Sequence, residues 1–363
     1  MTNAVRTRIL TVWIMARSTK RDRGYGMKTY EYGVALLKII MSFEVILCHY
    51  WTEHGDLQFY LIPFANAQPL AVPIFMLVSF YLCERFFNEF SKVNLKKRMW
   101  RLIYPFWIWG GVYFLFYKTF QLINKVNPVS VKDLLWQLIL GCSPVLNPPL
   151  WFQADLIIIT TIYYLILTLF PRKEGLICIW ILAAAALIMQ YSGMNENLFR
   201  RFQYEIRYTV GRIAEMLPYA TIGYFISTTE LIDKLKKNRI GSSIGIIFLY
   251  IISTNTLNDH TSGFGYGGMR YIVMGTLIFL LVMLIPYEKV PQCIKKMIEK
   301  LSKYTFGIFC IHFCVGERIN YLLSKHGYPV NTFLECVCIF IVSYVVCGVI
   351  GLIPCKYIKQ LVK

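Results

Sequence analysis

Apolar residues gather into ten runs along the chain, at about 31–51, 70–88, 102–122, 151–170, 175–192, 210–228, 241–256, 269–286, 304–323 and 332–354. Each is near the roughly 20 residues that a helix needs to cross hydrocarbon, which predicts an all-α polytopic membrane bundle of about ten transmembrane helices. The runs at 175–192 and 241–256 are short, so a different tilt or a partly re-entrant path is open to them. An eleventh run, 134–140, is too short to span and is expected in the interface. No long polar section separates the runs. One membrane domain over 30–355 is therefore expected, preceded by a basic tail at 1–29 and followed by a short tail at 356–363.

Basic residues supply a test of this reading, because they played no part in choosing the runs. With the N-terminus inside, the connections assigned to the cytoplasm hold 27 Lys and Arg and the others hold 8, while Lys38, Arg212 and Arg318 fall within runs. That alternation supports an even number of spans with both ends cytoplasmic. Composition agrees: 56% of residues are apolar, 16% are charged, and the mean hydropathy is +0.50, whereas soluble domains carry about 25% charged residues. The net charge of +18 would suit a nucleic-acid binder, but its short clusters between apolar runs orient helices instead, and nucleic acid is excluded as a partner. Eleven cysteines lie mostly inside the runs, read as small buried hydrophobes; Cys336 and Cys338 form a lone CxC with no His near in sequence, so no metal site is expected.

Ile9–Ala16, preceded by Arg6 and Arg8, has the first two regions of a signal peptide, yet Arg17, Lys20, Arg21 and Arg23 follow it without a small-residue cleavage pattern. A basic cytoplasmic tail is the expectation, with Met27 as a second candidate start.

Ionisable residues inside spans are costly and mark candidate chemistry. The first run holds Lys38, Glu44 and His49. Eleven helical steps turn three full circles plus 20°, so Lys38 and His49 share a face about 16 Å apart along the axis. Lys38 then lies in the cytoplasmic half and His49 near the outer boundary. This suits a site that takes a phosphate-bearing donor from the cytoplasm and presents its reactive end to an acceptor farther out, with His49 as the proton-transfer group. Glu53, four residues on, falls on the same face if the helix continues, where it would orient the ring. The competing explanation is a snorkelling lysine and an interfacial histidine.

Five passages, in order, resemble the acyltransferase-3 family of integral membrane proteins: Lys38 followed after ten residues by His49 and Tyr50; Val72 to Leu82 with Pro73, Ser79 and Tyr81; the basic stretch Lys97 to Pro105; Leu150-Trp151-Phe152; and Gly307 to His312. The resemblance covers about 30–350. It departs from the family pattern at Lys38, where Arg is usual, and at Phe80, where Gly follows the Ser. Lys keeps the charge and loses the planar fork; Phe80 fills space that Gly would leave for a close backbone approach.

The resemblance implies an O-acyltransferase, commonly of acetyl, with acyl-CoA (acetyl-CoA in the simplest case) as cytoplasmic donor substrate and a glycan acceptor at or outside a bacterial inner membrane. No permanently bound cofactor and no metal is implied. Ser79, Tyr81 and the charges of Arg98 and Arg101 become candidate donor-binding residues beside Lys38; His49 and Glu53 become the catalytic candidates, with direct transfer preferred over a covalent Ser79 intermediate because no base is near it in sequence. Trp151, Arg212, Glu215 and His312 are the candidates on the acceptor side. Arg212 and Glu215, three residues apart, also fit a structural pair on one helix face. The expected partners are the bilayer, acyl-CoA and the glycan, with a homo-oligomer left open. A transporter of a glycan or acylated intermediate is the rival reading, because intramembrane charges line transport routes as well; no internal repeat with paired broken helices favours it. A non-catalytic partner in a polysaccharide assembly complex is a third.

Overall fold

The structure is a computed structural model, and it describes residues 31–51, 68–83, 92–124, 130–140, 149–192, 204–257, 266–330 and 332–362. The chain divides into two compact units after Tyr32, and the bundle belongs to the second, Gly33–Lys363. Every regular element among the described residues is helical. In chain order they are α1 (Tyr32–Tyr50), α2 (Ala71–Leu82), α3 (Lys92–Asn124), α4 (Val131–Leu140), α5 (Leu150–Leu169), α6 (Arg172–Tyr191), α7 (Tyr204–Thr228) and α8 (Leu231–Lys237). Then follow α9 (Arg239–Thr256), α10 (Met269–Met283), α11 (Gln292–Ser302), α12 (Thr305–Lys325), α13 (Phe333–Leu352) and α14 (Lys356–Gln360).

Ten of these helices fall on the ten apolar runs. Among the described residues, α1, α5, α6, α12 and α13 are long and apolar enough to cross a membrane, and Gln68–Leu82 and Met269–Met283 are shorter apolar stretches. The outward faces identify the solvent. Ile341, Val345 and Val349 of α13 are exposed, as are Ile177, Ile181 and Ile188 of α6, while the opposite face of α13 buries Cys336, Ile339, Ser343 and Cys347. A helix that is apolar on its exposed face is stable in lipid and unfavourable in water.

Four elements refine the sequence expectation. The helix expected from 102 begins at Lys92 and runs 33 residues, about 50 Å at 1.5 Å per residue, so the basic stretch before Pro105 forms helical turns with fixed side-chain directions. The segments read as short, 175–192 and 241–256, are continuous helices of 20 and 18 residues, long enough for an ordinary span. The basic connection at 287–303 contains the amphipathic helix α11, whose Ile294 and Met297 are exposed beside Lys295, Lys296 and Lys300, a pattern suited to an interface.

Packing centres on α7, which runs along α2 and α6 and touches α5 and α10. Its approach to α2 is backbone to backbone: a Cβ on Gly223 would lie 2.2 Å from the Leu77 carbonyl oxygen. Only glycine permits that closeness, the usual device of helix pairs in membranes. Tyr163 and Thr221 join α5 to α7 with a buried 2.6 Å hydroxyl pair. On the other side α12 packs along α13, and α1 is fixed to α12 where the Tyr50 hydroxyl donates to the Phe313 carbonyl at 3.0 Å.

Candidate functional site

The face of α1 that carries Lys38 and His49 borders two cavities. The larger, about 680 Å³, is lined by Lys38, by Ser79 and Phe75 of α2, by Arg98, Arg101 and Leu102 of α3, and by Phe152 and Gln153 of α5. Thr305, Phe306 and Phe309 of α12 and Lys356 and Lys359 of α14 complete its wall. Five cationic side chains thus meet one cavity, and no carboxylate lines it among the described residues. The smaller, about 40 Å³, is lined by Cys48, His49, Gln68, Trp151, Tyr266 and Phe309.

Phe309 lines both. Its ring centroid lies 5.6 Å from Phe152 and 6.0 Å from Phe75, and those two are 6.3 Å apart. These rings line the large cavity, and the preceding residue of α5, Trp151, lines the small one. The single site expected from the shared face of Lys38 and His49 is therefore two compartments with an aromatic partition.

Arg98 is held on several sides. Its Nε donates to Thr160 Oγ1 at 3.2 Å and its Nη2 to Ser79 Oγ at 3.0 Å, while the guanidinium lies 5.6 Å from the Phe80 ring. Phe80, the departure from the family pattern, thus supplies a cation–π floor for Arg98 and is itself packed edge-on against Tyr163, 4.8 Å between centroids. Gln153 Nε2 donates at 2.7 Å to the Leu102 carbonyl, in the stretch of α3 that Pro105 loosens. Ser79 faces the large cavity as expected. Tyr81 is absent from its described lining: two residues farther round the helix, it is fully buried and packs against Phe279 of α10.

On the small-cavity side His49 is exposed, and its ring lies 5.4 Å from that of His312. His312 is fully buried. Its Nδ1 lies 2.8 Å from the Phe309 carbonyl and 3.2 Å from that of Ile308. Carbonyl oxygens only accept, so Nδ1 carries the hydrogen and Nε2 is left as an acceptor; among the described residues no group bonds it. Sequence placed these two histidines on separate spans, and α1 against α12 brings them together. Glu53 lies outside the described residues.

Trp151 is positioned by charge as well as packing. The Arg212 guanidinium lies 5.2 Å from the Trp151 ring and 4.8 Å from the Tyr208 ring, and its Nη2 meets Asp155 Oδ1 at 3.0 Å with both side chains buried. Asp155 of α5 is thus an ion partner of Arg212 from a second helix, and Glu215, three residues on from Arg212, is also buried. Trp151 stacks on Tyr266 at 5.8 Å, and Tyr219 donates to the Tyr266 carbonyl at 2.7 Å.

Sequence reasoning missed Asp155, Gln153, Thr160, Lys356 and Lys359. Asp155 carried a readable signal, the lone ionisable side chain inside the apolar run Leu150–Leu169. The two lysines carried none, since a basic end is what helix orientation alone predicts. No group of His, Cys, Asp and Glu suited to a metal occurs among the described residues.

These features define a class, a polytopic helical membrane protein with a cationic cavity walled from a histidine-lined pocket. Residues 31–352 match the family model described as an acyltransferase domain, and the chain belongs to that acyltransferase-3 family. It is a membrane acyltransferase. No curated protein and no solved structure gives a significant match.

Proposed function

We propose that this enzyme moves an acyl group, acetyl in the simplest case, from acyl-CoA to a hydroxyl of a cell-surface glycan or its lipid-linked precursor, in a bacterial inner membrane with both chain ends cytoplasmic. The observation that carries the reading is the large cavity, which offers Lys38, Arg98, Arg101, Lys356 and Lys359 to an anion and ends in apolar rings. Its volume falls in the range of small-molecule sites, about 300–1,000 Å³. A donor that is polyphosphorylated at one end and apolar at the other matches that gradient. Arg98, Arg101, Lys356 and Lys359 come from segments that the distribution of basic residues assigns to the cytoplasm, the side that holds CoA.

The acceptor half rests on His49 and the stacked Trp151 and Tyr266 beside it. Aromatic faces suit sugar rings, and the pocket is bordered both by the exposed His49 imidazole and by Phe309 of the partition. In the reaction His49 takes the proton of the acceptor hydroxyl while its oxygen attacks the thioester carbonyl. The C–O bond forms, the C–S bond breaks, and the departing CoA thiolate receives the proton back from the imidazolium. His312 acts as a positioning residue, with Nε2 available to accept from the His49 ring N–H or the bound hydroxyl.

The test compares ester content of the host's surface glycans in wild type, a deletion and His49→Ala at matched membrane abundance. Removing a general base costs about 10²–10⁴ in rate, so ester should be lost in both mutants. Ester persisting in all three while glycan export fails in the deletion would sink acyl transfer to glycans and favour transport.

A further inference from the structure

The family match ends at residue 352, yet the large cavity is not complete there. Pro354, Lys356, Lys359 and Gln360 line it from a segment beyond the matched domain. That segment is fastened as a strap. The Tyr357 ring lies 6.1 Å from Tyr104 of α3, and Trp109 Nε1 of the same helix donates to the Leu361 carbonyl at 3.0 Å. Val362 is fully buried, and a Cβ on Gly307 of α12 would lie 2.8 Å from the Val362 Cα, so the strap's end sits directly on that helix. Between these anchors Lys356 and Lys359, three residues apart in α14, face the cavity together. Neither side chain has a hydrogen-bond or ion-pair partner among the described residues.

Two unpaired ammonium groups on an anchored strap are an anion site in waiting, and their depth says which anion. Lys38 and Arg98 lie in the helix bundle, Arg98 buried, whereas Lys356 is exposed and Lys359 half-buried. The strap cations therefore border the cavity's exposed end, whereas His49 lines the other cavity. A donor whose acyl end reaches the partition leaves its nucleotide at that end. We infer that Lys356 and Lys359 form a subsite for the 3′-phosphate of the CoA nucleotide, supplied by a segment outside the family domain, with Arg98 and Arg101 facing the diphosphate. This rests on the proposal that the large cavity holds acyl-CoA.

The experiment measures binding of CoA and of 3′-dephospho-CoA by calorimetry to the purified full chain in lipid nanodiscs at fixed low salt. Wild type should bind CoA about tenfold more tightly than the dephospho form, the scale of a charge-assisted phosphate contact. Lys356→Gln/Lys359→Gln should lose that preference by weakening CoA alone, and Lys356→Arg/Lys359→Arg should keep it. Gln substitution leaves Tyr357, Leu361 and Val362 in place, so the strap's anchors persist. A Gln double variant that retains the preference overturns the subsite. Equal weakening of both ligands overturns it too, because the strap would then act on the diphosphate or through general charge. If wild type binds neither ligand, the donor reading itself fails and the subsite with it.

Discussion

Removing one partner of the Arg212–Asp155 pair should cost far more than removing both. The atoms are 3.0 Å apart with side-chain exposures of 1% and 0%. At an effective dielectric of 20 their attraction is about 5.5 kcal/mol, and desolvation of two charges offsets most of it, so the intact pair adds little net stability. Asp155→Ala, however, takes the carboxylate away from a buried guanidinium. That should cost about 3–5 kcal/mol, or roughly two to three and a half decades in the unfolding constant, with the lower end favoured because Arg212 also rests on Trp151 and Tyr208. Arg212→Met strands the carboxylate at similar cost. The double variant strands no charge and should stand within about 1–2 kcal/mol of wild type, so the two single costs fail to add by several kcal/mol. The assay is reversible unfolding of the detergent-solubilised protein by titration with SDS, read by tryptophan fluorescence for all four species. Single variants that cost under about 1 kcal/mol, or costs that add within about 0.5 kcal/mol, would refute the claim that these charges depend on each other.

Two further substitutions test the other close contacts. Gly223→Ala would push a methyl to 2.2 Å from the Leu77 carbonyl oxygen; backbone cannot yield as a side-chain tip can, so α7 and α2 must part, at about 1–3 kcal/mol in the same SDS assay, and an unchanged midpoint would contradict that packing. Arg98→Lys keeps the charge but cannot serve Ser79 and Thr160 at once, so KM for acyl-CoA should rise about tenfold with kcat little changed; a fall in kcat alone would take Arg98 out of donor binding.

The membrane bundle was legible because lipid imposes a one-dimensional rule, that each crossing needs about 20 apolar residues. Among the described residues a helix falls on each of the ten runs, and the run at 134–140 is part of the ten-residue helix Val131–Leu140. The site was legible only along single helices. Helical spacing brought Lys38 and His49 to one face, and it put Ser79 and Tyr81 about 200° apart, which is why only Ser79 reaches the large cavity. What pairs across helices is not written in local spacing. His312 beside His49, Asp155 with Arg212 and the Arg98 fork on Thr160 and Ser79 all depend on how α1, α2, α3, α5, α7 and α12 pack. Burial explains why such pairs exist: a lone charge among apolar helices is costly, so Arg212 and Arg98 find partners on neighbouring helices.

The partition at Phe75, Phe152 and Phe309 gives the two compartments a chemical rationale under acyl transfer. A thioester is attacked by water as well as by a sugar hydroxyl, and an imidazole able to deprotonate the hydroxyl can deprotonate water. With His49 and the donor's phosphates in one open chamber, hydrolysis would compete at every encounter. Here Lys38, one of the five cations proposed to hold the donor, and His49, the proposed base, stand about 16 Å apart on one helix, and they line separate cavities with only Phe309 common to both among the described residues. An acyl group then meets His49 only by passing those rings, where bulk water is least welcome. Under the proposed function the charge that orients the helices and the charge that binds the donor reside in the same residues, which is why Arg98, Arg101, Lys356 and Lys359 looked like ordinary topology signals in the sequence.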